Sequence, residues 1–189
     1  MACGEIDKGS EADCENLPAA GTKAEAVLYN YNDWEEPTVV AGKITQINLV
    51  DGAVGYRFTG LANAFLKSED FARSASTGVG RYKHKHTLVI YERTQEQKDN
   101  IAVLGNGRFV AVLYNRGEDS DSIEVAGQDV GVELQAGEVR NAYANDGFFV
   151  LNMATPEGEI ENETKLMQSV WITDKETTLA MIDATVATS

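Results

Sequence analysis

The chain has 189 residues, 43% of them hydrophobic, and sets 30 Asp+Glu against 16 Lys+Arg for a formal net charge of −14. That length and apolar content support one core of ordinary size and exclude a wholly disordered chain, while so acidic a surface repels nucleic acid. No run approaches the roughly 18 apolar residues of a membrane-spanning helix, and no basic segment followed by an apolar stretch opens the chain, so neither a span nor secretion is expected.

Residues 1–22 are rich in Gly, Asp, Glu, Ser and Ala and carry too few large apolar residues for a core, so they read as an arm. Cys3 and Cys14 both fall in it, too few for a zinc site and wrongly spaced for a redox motif, and reduced thiols in a cytoplasm are expected. A single domain is expected over residues 23–189. It opens with a strand at Glu25–Tyr31, then a loop at 32–37 where Pro37 stops regular pairing and Trp34 is either a plug over the core or an exposed contact. Alternating runs at 42–50 and 54–59 around Asp51-Gly52 predict a hairpin, with Val54, Tyr56 and Phe58 on one face.

From 61 to 80 the chain has no steady period, which reads as an extended functional or interface-forming loop. Phe65, Leu66 and Phe71 within it are costly to leave in water and are expected to pack against something. His86–Glu92 reads as a β-branched, aromatic strand. Thr94-Gln-Glu-Gln97 fits a capping box, so a helix over about 94–104 is predicted, with Ile101 and Leu104 as its apolar stripe and Gly105 as its stop. The following run at 108–115 is apolar on both faces, the pattern of a covered central strand. Short strands at 123–125, 130–134, 139–143 and 148–153 alternate with turn signals at 126–127, 136–137 and 145–147. A last strand is expected at 166–172, and a terminal helix capped by Asp174. The predicted fold class is mainly β: an antiparallel β-sandwich or barrel flanked by one short α-helix.

No catalytic grouping emerges. His84 and His86 project from one strand face about 7 Å apart, but no third ligand is near and Lys83 and Lys85 repel a cation, so a polar strand face is expected and no metal. Glu118-Asp-Ser-Asp-Ser122 lacks the glycine and distant bidentate Glu of a calcium loop. Glu157, Glu159, Glu161 and Glu163 recur at period two and form one acidic ridge if extended. Carboxylate pairs are too abundant for any to stand out as catalytic, and no phosphate or dinucleotide fingerprint is present, so no cofactor and no enzymatic activity are expected. Charge is segregated along the chain. Residues 67–98 hold seven Lys/Arg against four acids, whereas 118–138 hold seven acids and no base. Either these are solvated faces or they are the complementary surfaces of a self-assembling subunit.

The element order, together with Thr94-Gln-Glu-Gln-Lys-Asp-Asn-Ile-Ala-Val-Leu, Gly107-Arg-Phe-Val-Ala-Val-Leu-Tyr-Asn and Ile123-Glu-Val-Ala-Gly-Gln-Asp-Val-Gly-Val, resembles the tail tube proteins of long-tailed bacteriophages over residues 24–172. The wider group includes the secretion-system tube protein. The resemblance implies a β-sandwich flanked by a helix, hexameric rings stacked into a tube, and contacts with other phage tail proteins. It further implies a virion location after assembly in the bacterial cytoplasm, and a lumen through which DNA passes without specific binding. On that reading 61–80 is the inter-ring loop, with Phe65, Leu66, Phe71, Arg73 and Tyr82 as inter-subunit contacts, and residues 1–22 a bridging arm. Glu118, Asp119, Asp121, Glu157, Glu159, Glu161 and Glu163 become candidates for an acidic lumen or surface ridge. The acidic, cysteine-bearing arm matches no feature of that family. Alternatives are another virion component, such as a capsid-decoration or neck protein, and a carbohydrate-binding sandwich using Trp34, Tyr29 and Tyr31.

Overall fold

The computed structural model describes residues 21–60, 65–73, 79–92, 94–137, 139, 148–157 and 163–187. In chain order these form β1 (Thr22–Asn30), β2 (Trp34–Val40), β3 (Lys43–Leu49), β4 (Tyr56–Thr59), β5 (Leu66–Arg73), β6 (Gly80–Ile90), α1 (Gln95–Leu104), β7 (Phe109–Asn115), β8 (Ile123–Ala126), β9 (Glu133–Leu134), β10 (Phe149–Ala154), β11 (Gln168–Ser169) and α2 (Lys175–Asp183). The expected arm falls almost wholly outside the described residues, as do both cysteines, most of the expected strand at 139–143 and the turn at 145–147.

Two antiparallel sheets carry the fold, one of five strands ordered β11-β8-β7-β1-β4 and one of four ordered β5-β6-β10-β9, with β2 and β3 as a separate hairpin. The sheets face each other: Ala26, Leu28, Ala111, Leu113 and Ala126 from the first share a buried cluster with Leu88, Ile90, Leu151 and Met153 from the second. Among the described residues no strand order closes into a barrel. The alternate residues of the central strands, Val27, Tyr29, Val110, Val112 and Tyr114, face the other way into a second core completed by Ile44 and Ile47 of β3 and Ile182 of α2. The five-stranded sheet is therefore covered on both sides, which is why β7 is apolar at every position from Phe109 to Tyr114.

Both helices start where the sequence places them. Thr94 Oγ1 accepts from the Gln97 amide at 3.2 Å, although the Gln97 side chain turns to Glu92 instead of closing the box. Asp174 accepts from the Thr177 amide at 2.8 Å.

Three expectations are corrected. The Asp51-Gly52 turn exists, with Gly52 at φ +80°, but it does not join paired strands: β3 pairs only with β2, and β4 pairs with β1 in the large sheet. The hairpin is instead β2–β3, turning at Ala41 (φ 50°) and Gly42 (φ 82°). Pro37 does not end pairing; it lies inside β2 at the register shift between Glu35 and Thr38, where no ladder donor is needed. Within 61–80, residues 66–73 are a regular strand in full register with β6, from Leu66↔Thr87 to Arg73↔Gly80. Its period is concealed because Lys67, Glu69 and Phe71 alternate with Leu66, Ser68 and Asp70, so neither face is uniformly apolar.

Candidate assembly surface

The β5–β6 hairpin outruns the sandwich. β10 pairs with β6 only from Lys85 to Ile90, so the segments 71–73 and 80–82 extend beyond the last rung, held by the Tyr82–Glu163 bridge on one side. Phe71 has no facing sheet and is 60% exposed; its ring lies 5.5 Å from that of Tyr82, over Gly80, where a Cβ would stand 2.6 Å from the Phe71 ring. Leu66 is exposed on the outer face. Arg73 stands on the face of the aromatic pair and Arg81 on the other face of the hairpin, and neither has an ion-pair partner among the described residues.

Phe65, in contrast, is 2% exposed in the inter-sheet core and is not available to a neighbour. Of the five expected contact residues, Phe71, Arg73 and Tyr82 gather at the projecting end of the hairpin, Leu66 lies at the other end of β5 on the opposite face, and Phe65 is buried.

The acidic candidates do not form one ridge. Glu118 pairs with Lys175 at 2.6 Å, Asp121 with Lys43 at 3.5 Å and Glu157 with Lys83 at 3.7 Å. Asp119 accepts from the Asp121 amide. The Lys175 ammonium holds the Glu118 carboxyl below its ordinary range. Glu159 and Glu161 lie outside the described residues. Glu163 is buried, its two oxygens accepting from the Asp129 and Val130 amides at 2.9 and 3.1 Å; burial pushes it up to about 7, against the pull of those two donors. The charge segregation along the sequence is thus partly resolved within the chain, since Lys67 also pairs with Glu124 and Arg108 with Glu133.

His84 and His86 do not make the expected polar strand face: they point inward from β6, both buried. His84 Nδ1 accepts from the Gly127 amide and Nε2 donates to the Lys165 carbonyl, a pairing only the neutral ring can make. Burial lowers its pKa. Among the described residues His86 has no hydrogen-bond partner, and burial, helped by His84, pushes it down to about 4. Lys67 and Glu69 of β5 face these rings across the ladder, and burial lowers the Lys67 ammonium to about 8. Among the described residues no group of three His, Cys, Asp or Glu is placed to hold a metal ion. The aromatics of the carbohydrate reading do not make a platform, because Tyr29 is buried and Trp34 packs on it edge-on at 5.4 Å as a plug over the second core.

Sequence reasoning missed a second surface at the opposite end of β6. A cleft of about 1170 Å³ opens between β4, the end of β6 and α1, lined by Tyr56, Phe58, Val89, Tyr91 and Val103 with Glu92 and Glu96 at its margin. The Tyr91 ring meets that of Phe148 at 4.7 Å, tilted by 60°. Its signal in the sequence is Val103, an apolar residue off the Ile101/Leu104 stripe that the helix leaves exposed.

No helix among the described residues is long and apolar enough to cross a membrane. No known protein family, curated protein or solved structure matches the chain.

Proposed function

We propose that this chain is a structural subunit that assembles with copies of itself, and that the assembly is a tube of stacked hexameric rings of the bacteriophage tail tube kind, built into a virion and passing DNA through its lumen. The observation that carries self-association is Phe71. An aromatic ring held 60% exposed on a strand-built projection forgoes roughly 1–2 kcal/mol of burial, and Arg73 and Tyr82, two more of the five residues expected at an inter-subunit contact, stand beside it. The net charge of −14 supports a conduit that offers phosphates no cation to replace their counterions. The hexameric, stacked and virion parts of the reading rest on the resemblance in element order and segment texture.

The test is negative-stain electron microscopy across a concentration series of the native chain and of Phe71→Ser. Rings or hollow tubes from the native chain are expected, with the Phe71→Ser chain remaining monomeric and keeping an unchanged thermal midpoint. Monomers alone at every concentration overturn self-association, whereas closed oligomers that never stack overturn the tube and favour a decoration or neck component.

A further inference from the structure

The projecting hairpin and the cleft occupy opposite ends of one strand. β6 runs eleven residues from Gly80 at the hairpin to Ile90 at the cleft, which at about 3.3 Å per residue separates the two by roughly 33 Å. A hairpin cannot fold back that far along its own rigid strand, so whatever the cleft takes, it does not take this chain's own hairpin.

The two surfaces match in kind. The hairpin presents an exposed aromatic, Phe71, with Arg73 on the same face and Arg81 on the other. The cleft presents apolar walls from Tyr56, Phe58, Val89 and Val103; its lining charges are the carboxylates of Glu92 and Glu96 and the guanidinium of Arg57, which is already paired with Glu25 and Asp183. Tyr56 and Val103 are themselves largely exposed in the single chain, so both sides leave apolar surface uncovered, and the cleft offers two carboxylates to the two arginines of the hairpin. Resting on the self-assembly reading above, we infer that the cleft between β4 and α1 is the socket for the β5–β6 hairpin of a second copy, with Phe71 against Val103 and Tyr56 and the two arginines against Glu92 and Glu96. The contact is heterologous, joining two different patches, so each bound copy leaves one hairpin and one cleft open. Growth therefore continues along the direction of β6 unless the rotation from copy to copy closes a ring. Arginine suits the acidic margin because its planar fork meets carboxylates at two points.

The experiment uses the full chain with Cys3 and Cys14 replaced by Ser, keeps Phe71, and introduces Arg73→Cys, two residues along the same strand face, in one preparation and Val103→Cys in another. After mixing and mild oxidation, disulfide-linked dimers containing one of each are expected, several-fold above the yield from Arg73→Cys with Val40→Cys, an exposed position on β2. Tyr56→Cys serves as a second socket position, so the outcome does not depend on one substitution. In parallel, Arg73→Glu with Arg81→Glu, or Glu92→Arg with Glu96→Arg, raises the concentration needed for assembly at least tenfold, and an equimolar mixture of the two reversed chains associates pairwise. Assembly by microscopy with no linkage above the control overturns the socket and leaves self-association standing. Absence of both assembly and linkage at every concentration overturns self-association, and the socket with it.

Discussion

Glu163 and His86 lie in the same interior and respond to acid in opposite directions. The His86 ring takes its proton near 6.5 in the unfolded chain but only at about 4 when buried, so the unfolded state binds more protons in that window and stability falls as pH drops through it. Between pH 8 and 5 the loss is about 2 kcal/mol. Glu163 titrates at about 7 when folded against 4.5 unfolded; here the folded state binds more protons, and acidification over the same range returns about 2.5 kcal/mol. The two nearly offset, so neither is visible in the native chain alone. Urea midpoints at pH 8 and pH 5 separate them. His86→Leu, which also removes ring nitrogens that lack a partner, is expected to gain on the native chain by about 2 kcal/mol more at pH 5 than at pH 8. Glu163→Gln is expected to lose ground on acidification by a similar amount. Identical pH profiles for all three chains would place the proton linkage elsewhere. The inward phase of the histidines was missed: His84, His86, Leu88 and Ile90 share one parity, but alternation with lysine makes both phases of the segment 83–86 polar and hides it. The partners of Glu163 were not legible, because the Asp129 and Val130 amides lie more than thirty residues away.

At the scale of elements, local chemistry fixed where turns and caps fall but not which strands pair. Thr94 and Asp174 cap their helices as their side chains dictate, and the apolar run of β7 declared a covered strand. Asp51-Gly52 makes its turn too, yet the chain then leaves β3 for the far edge of the large sheet, because Tyr56–Thr59 finds its partner in β1. Turn residues govern four positions, whereas pairing depends on which buried faces the whole chain must cover. The converse case is Ala41-Gly42, a turn that the residues advertise poorly. Ala41 sits at φ 50°, where a Cβ crowds the following carbonyl oxygen at roughly 1–2 kcal/mol. Ala41→Gly relieves that crowding and loses some of the gain to the greater freedom of glycine in the unfolded chain. The expected result is a net stabilisation of about 0.5 kcal/mol by urea denaturation, with assembly unchanged because the β2–β3 turn lies on neither proposed contact. A destabilised chain would mean that the turn is not strained and that the Ala41 methyl contributes packing.

For the whole molecule, the decisive question is what opposes association. Every copy carries a net charge of −14, and copies brought together repel through solvent over a range set by ionic strength, about 10 Å at 0.1 M salt. Against that stand the apolar burial of Phe71, Tyr56 and Val103, indifferent to screening, and the arginine–glutamate contacts, which salt weakens. The arginines at the hairpin are two and the acids at the cleft margin two, while the unscreened repulsion sums over the full excess of acids, so the global term outweighs the local one. Raising salt from 20 to 150 mM is therefore expected to lower the concentration at which assemblies appear, by several-fold, as read by light scattering at fixed temperature. The charge-reversed hairpin, Arg73→Glu with Arg81→Glu, carries four more negative charges per copy and is expected to depend on salt more steeply still. If salt instead dissolves the assemblies of the native chain, the contact is held chiefly by its ion pairs, and the exposed aromatic at the hairpin is secondary to the arginines beside it.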